Sequence, residues 1–101
     1  MGQSFDHDDV FPIIARLIDA QFAAKKRFIE APEIADAMLS DSEGARLVAE
    51  AQRRSKLSAN EIAGNMVAWF SQRISIGQSS WQNAYERTKV KRRWAYRPVG
   101  K

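Results

Sequence analysis

The hydrophobic period of this 101-residue chain changes at Gly77, and that switch restricts the folds open to it. Before Gly77, apolar residues recur at three- and four-residue steps, the spacing that lines one side of an α-helix. Phe11, Ile14, Leu17, Ile18 and Phe22 form one such stripe, and Ile62, Met66, Trp69, Phe70 and Ile74 form another. After Gly77, Arg93-Trp94-Ala95-Tyr96-Arg97 alternates with a period of two. Trp94 and Tyr96 therefore point to one side of a strand, and Arg93, Ala95 and Arg97 to the other. The pattern predicts an α+β fold, mostly α, in which a helical bundle is completed by a C-terminal β-hairpin.

Local signals place the boundaries. Asp8 or Asp9 can cap a first helix that runs to about Lys25, with Pro12 in its first turn, where a missing N–H costs little. Lys25, Lys26 and Arg27 then suit the negative end of its dipole. Phe28-Ile29-Glu30 is too short for an independent strand and can pair with the later hairpin. Ala31-Pro32-Glu33 starts a second helix with Ile34, Ala35, Met38 and Leu39 inward; Pro32 suits its first position. Ser40-Asp41-Ser42 interrupts it, and Glu43 to about Arg54 reads as another helix with Ala45, Val48 and Ala51 inward. Ser58-Ala59-Asn60-Glu61 is a capping box, the clearest local signal, and opens a helix over 59–75 that Gly77 is suited to end. Segments 81–87 and 90–99 then flank a polar turn near Thr88 to Arg92, and Pro98 ends the hairpin. Residues 1–9 read as a flexible N-terminus and 10–99 as a single domain.

Charge is divided as sharply as periodicity. Met1 to Gln52 holds five Lys/Arg against ten Asp/Glu, a balance of −5, whereas Arg53 to Lys101 holds eleven against two, a balance of +9. Together they give the net +4. From Trp81 onward, Arg87, Lys89, Lys91, Arg92, Arg93, Arg97 and Lys101 face Glu86 alone, interleaved with Trp81, Tyr85, Trp94 and Tyr96. A cationic ribbon beside a helix suits a grooved polyanion, so nucleic acid is the partner to expect.

Several classes are disfavoured. The chain has no cysteine, which removes disulfides and thiolate metal sites and fits a reducing cytoplasm. No apolar run approaches the roughly 20 residues of a membrane span, and acidic residues stand where a secretory signal needs positive charge. The single histidine, His7, lies among acids with nothing to fix a metal's geometry. There is no glycine-rich phosphate loop and no evident pair of converging carboxylates, so neither an enzyme, a cofactor nor a small-molecule substrate is expected.

The order of elements (helix, short strand, helix, helical segment, capped helix, basic hairpin) resembles a winged helix-turn-helix domain of prokaryotic type. The resemblance spans about Val10 to Val99. It rests on Pro32-Glu33-Ile34-Ala35 opening a helix, on Ser58 to Ile76 as the following helix, and on Tyr85-Glu86-Arg87 with Arg93-Trp94-Ala95-Tyr96-Arg97 as the wing. It departs from the pattern at Ser40 to Leu57, which is longer than the usual turn between the two helices. The resemblance implies a small transcription regulator or a detached binding domain. Its recognition helix enters the major groove of duplex DNA, and its wing lies on the adjoining backbone or minor groove.

Side-chain chemistry supplies the candidates. Asn and Gln pair bidentately with adenine and Arg with guanine, which makes Asn60, Asn65, Gln72 and Arg73 the available base readers. Arg53, Arg54, Lys56, Arg87, Lys89, Lys91, Arg92, Arg93 and Arg97 are the phosphate candidates. The first three suit dipole compensation at a helix C-terminus slightly better than phosphate contact. Trp69, Phe70, Trp81, Trp94 and Tyr96 offer stacking platforms for single-stranded bases, although a core role is expected of all five. The alternative to DNA binding is a protein–protein interaction adaptor on the same fold. Helix 1 can bury its stripe in its own core or against a second copy, which leaves a homodimer open.

Overall fold

The other helices and the sheet pack around the apolar stripe of the first helix. The structure is a computed structural model that describes residues 7–76 and 85–99. Helix α1 (His7–Lys25) buries Val10, Phe11, Ile13, Ile14, Ala15, Leu17 and Ile18, a wider surface than the sequence stripe suggests. The reason is that α2 (Ala31–Ser40), α3 (Ser42–Gln52), α4 (Ala59–Ile76) and the sheet all contact it. Its apolar face is thus covered within the chain. The helix begins earlier than predicted: Asp8 and Asp9 lie inside it, and Pro12 is its sixth residue rather than in the first turn. The extra turn brings Val10, fully buried, into the core. At the other end Lys26 adopts a left-handed conformation (φ 57°), and its N–H donates to the Phe22 carbonyl at 2.8 Å.

Strand β1 (Ile29–Glu30) leads straight into α2. The Glu33 carboxylate accepts from the Glu30 N–H at 2.9 Å and from Nη1 and Nη2 of the Arg27 guanidinium, so the start of α2 is tied to the end of α1. Asp41 ends α2 and caps α3, accepting from the Gly44 N–H and from Arg16, each at 2.9 Å. Here α3 fills the long interval noted in the sequence, running to Gln52 rather than Arg54. It buries Gly44, Leu47, Val48 and Ala51, while Ala45 is only partly covered. Gly44 is required by proximity, since a Cβ there would lie 2.5 Å from the Met38 carbonyl oxygen.

The Ser58 capping box forms as expected. The Glu61 N–H donates to the Ser58 hydroxyl at 3.2 Å, and the Ser58 N–H donates to the Glu61 carboxylate at 2.9 Å. Helix α4 then buries Ile62, Ala63, Met66, Val67, Phe70 and Ile74. Phe70 is the junction of the core. Its ring meets Phe11 edge-on at 5.2 Å, Tyr85 at 5.7 Å and Tyr96 at 6.4 Å, which joins α1, α4 and the sheet.

Strands β2 (Tyr85–Val90) and β3 (Arg93–Pro98) form the hairpin, and β1 pairs with β3, giving an antiparallel sheet in the order β1-β3-β2. The register sets Arg87 opposite Tyr96, Lys89 opposite Trp94 and Val90 opposite Arg93. Pairing reaches closer to the tip than predicted: Thr88 to Val90 are strand, and the turn is Lys91-Arg92 alone, both with positive φ (51° and 71°). This is the mirror-image turn that matches strand twist. Gly77 and Trp81 lie outside the described residues. Among the described residues, no helix is long and apolar enough to cross a membrane.

Candidate nucleic-acid interface

Helix α4 shows solvent a row at four-residue steps, Asn60, Gly64, Ala68 and Gln72, with Glu61 and Asn65 beside it. Burial of the opposite side by the Phe70 core fixes this orientation. Three of the four proposed base readers, Asn60, Asn65 and Gln72, therefore share one exposed surface. Asn60 and Gln72 stand about 18 Å apart along the axis at 1.5 Å per residue. Gly64 and Ala68 keep the middle of the row low, and nothing lies within 4 Å of where a Gly64 Cβ would be. Arg73 is displaced from this row. It is half-buried, turned about 100° from Gln72 by helix geometry, and sits over the Trp69 ring at 5.7 Å.

The hairpin divides its cations between two faces. Arg87, Lys89, Trp94 and Tyr96 share one face, because residues directly opposite in an antiparallel pair point the same way. On it the Arg87 guanidinium lies 3.7 Å above the Trp94 ring and donates to the Ser71 hydroxyl of α4 at 2.6 Å; Lys89 approaches the same ring at 4.9 Å. On the other face Arg97 donates to Glu86 at 2.7 Å and stacks on Phe28 at 4.5 Å, while Arg93 reaches Glu30 at 3.5 Å. Arg97 and Arg93 are thus held by carboxylates on the far side of the sheet. Lys91 and Arg92 project from the tip.

Carboxylate pairing sorts the cations by position. Arg16, Lys25, Arg27, Arg46, Arg93 and Arg97 each have an acidic partner within 4 Å. Arg53, Arg54, Lys56, Arg87, Lys89, Lys91 and Arg92 make no ion pair among the described residues; on the acidic side only Lys26 shares that condition. The uncompensated charge gathers at the α3–α4 connection, where Arg53, Arg54 and Lys56 are exposed, and along the hairpin toward its tip. In the acidic half, Glu33, Asp41, Glu43 and Glu50 are paired with cations of the same half. Glu33 shows the effect most strongly, as Arg27 and then Lys25 hold its carboxyl well below the usual range.

The aromatic residues divide as well. Phe70 and Tyr96 are core, and Trp69 and Trp94 are half-buried against it. Tyr85 is also core: its hydroxyl reaches the Ala15 carbonyl at 3.2 Å and Asp19 at 3.0 Å, and burial followed by Asp19 pushes its titration upward. Sequence reasoning missed two features. Ser71, 3 % exposed, is the anchor for Arg87, and nothing in its neighbours signals that. A cleft of about 310 Å³ opens between α2 and α4, with Ala31, Pro32, Ala35, Gly64 and Val67 among its lining and Asp36 and Asn60 completing it. Its small residues are legible in the sequence, but their meeting across two helices is not. Compared with protein family models, with curated proteins and with solved structures, the chain matches none.

Proposed function

We propose that this chain is a duplex DNA-binding module of winged-helix type, with α4 as the recognition helix and the β2–β3 hairpin as the wing. The element order, the β1-β3-β2 sheet order and the packing of α4 on α2 support the reading. The observation that carries it is the gathering of uncompensated cations at the α3–α4 connection, which leads into α4, and on the hairpin, whose Arg87 is hydrogen-bonded to Ser71 of α4. In this arrangement Asn60 and Asn65 reach base edges from the N-terminal half of α4. Arg53, Arg54, Lys56, Lys89, Lys91 and Arg92 hold the flanking phosphates, supplying affinity and register rather than sequence discrimination. Glu61 stands at the same end and can accept from a cytosine amino group.

Titration of the protein with a duplex of about 15 base pairs at several salt concentrations tests this. About five neutralised phosphates give a log–log slope near −4 to −5. Amide shifts concentrated on Asn60 to Gln72 and Lys89 to Arg92 are expected in the same titration. Salt-insensitive or absent binding removes the proposal.

A second reading, a protein-interaction adaptor, draws on the α2–α4 cleft, whose apolar floor and Asp36 suit an apolar side chain on a basic partner segment. Charge reversal at Lys91 and Arg92 separates the two, abolishing DNA binding while leaving capture through the cleft intact.

A further inference from the structure

We infer that Arg87 is a positioning residue, fixing the angle between the hairpin and α4, rather than one of the side chains that hold phosphate. This deepens the proposed function and rests on it only for the DNA arm of the test. Among the described residues, Arg87 is the one hairpin cation with a hydrogen bond to α4: its Nη1 donates to the buried Ser71 hydroxyl at 2.6 Å. The same guanidinium has its Cζ 3.7 Å from the centroid of the Trp94 ring, so one group links a helix, through its N–H, to a strand, through a cation–π contact. Tyr96 stands directly opposite Arg87 in the strand register and packs on Phe70 of α4, which backs the junction from the β3 side.

The rest of the contact explains why such a link matters. Only two residues of β1 pair with β3, at Ile29↔Tyr96 and Glu30↔Ala95, so Lys89, Val90 and the Lys91-Arg92 turn extend beyond the three-stranded part of the sheet. A two-stranded ribbon is free to twist and swing unless its base is held. Arg87 and Trp94 sit at that base. Their contact, together with Ser71, sets where Lys89, Lys91 and Arg92 stand relative to the exposed row of α4. A lysine at 87 keeps the charge but has neither the planar face nor the fork of donors.

Residual dipolar couplings of the free full-length chain report hairpin orientation with no DNA present. In the wild type, amides of α4 and of β2–β3 fit one alignment tensor. In Arg87→Lys and in Ser71→Ala they require two, and the Trp94 emission shifts in Arg87→Lys. Both variants keep every charge on the hairpin, yet each binds the duplex about tenfold more weakly, the scale of one lost cation–π or hydrogen-bonded contact. The double variant is no weaker than either alone, because both substitutions break one link. Should Ser71→Ala fail to fold, Arg87→Lys, altered at a half-exposed side chain, carries the test. A single tensor in Arg87→Lys, or wild-type affinity in that variant, overturns the inference. If the wild type ignores DNA, the proposed function falls, and the tensor comparison still decides the role of Arg87.

Discussion

Lys91 and Arg92 occupy backbone conformations that suit Asn and Gly, at φ 51° and 71°. A side chain with a Cβ is disfavoured there by roughly 1 kcal/mol or more. Two long cations in that turn therefore cost stability, and strain held at a charged tip is the kind of feature that accompanies a binding role. Replacing the pair by Asn-Gly is expected to raise stability by about 1 kcal/mol in chemical denaturation. The same change should make the salt slope of duplex binding shallower by about 2, since two phosphate contacts disappear. A stabilised variant that binds as before would separate the turn from function. Lys26 holds a similar conformation at φ 57° without the surrounding charge pattern, and Lys26→Gly is expected to stabilise by about 0.5–1 kcal/mol with no effect on binding.

The helices are defined by their ends. Ser58 and Glu61 close the start of α4, and Ser58→Ala should cost about 1 kcal/mol and fray the turn that carries Asn60, measurable as faster amide exchange at residues 59–62. At the start of α2 the determinant is Glu33, held by Arg27 and Lys25. Its folded-state titration lies below its ordinary value of 4.5, so the folded chain binds fewer protons there than the unfolded chain as the pH falls. The stability that Glu33 contributes is thus fully present above about pH 4.5 and is lost progressively in more acidic solution. Glu33→Gln is expected to cost about 1–2 kcal/mol at pH 7, with the gap between the two proteins narrowing below that point. A gap that stays constant to pH 3 would mean that the pairing is not what ties α2 to α1. Between α2 and α3 the determinant is the lack of a side chain: Gly44→Ala places a methyl against the Met38 carbonyl and should cost about 1–3 kcal/mol through separation of the two helices.

Over the whole chain, opposite charges are segregated and then treated differently. Glu33, Asp41, Glu43 and Glu50 of the first half pair with nearby cations, while the cations at the α3–α4 connection and on the hairpin's α4-facing side and tip are left without carboxylates among the described residues. Uncompensated cations thus stand at the connection that leads into α4 and on the hairpin, whereas the exposed row of α4 itself, Asn60, Gly64, Ala68 and Gln72, carries no charge. If the chain binds duplex DNA as proposed, that arrangement would steer the polyanion toward α4 without requiring α4 itself to be basic. Charge reversal at Arg53 and Arg54 should slow association with duplex DNA more than it speeds dissociation, and stopped-flow measurement at low salt would distinguish the two.

Much of this was already present in the chain of residues. The helical stripes, the Ser58 box, the Pro32 start and the alternation around Trp94 are local signals, each set by side chains within a turn or two of one another. They determined the elements, the short strand near Ile29 and the C-terminal hairpin. What they left open depended on contacts between residues far apart in sequence. The breadth of α1 burial follows from neighbours on several sides, and the need for Gly44 follows from Met38 on another helix. Arg87, Arg93 and Arg97 look alike in the sequence. Only the strand register and the approach of Ser71, Glu30 and Glu86 decided that one braces α4 while the other two are neutralised across the sheet. Periodicity is a property of a segment, but the partner of a charge is a property of the packed molecule.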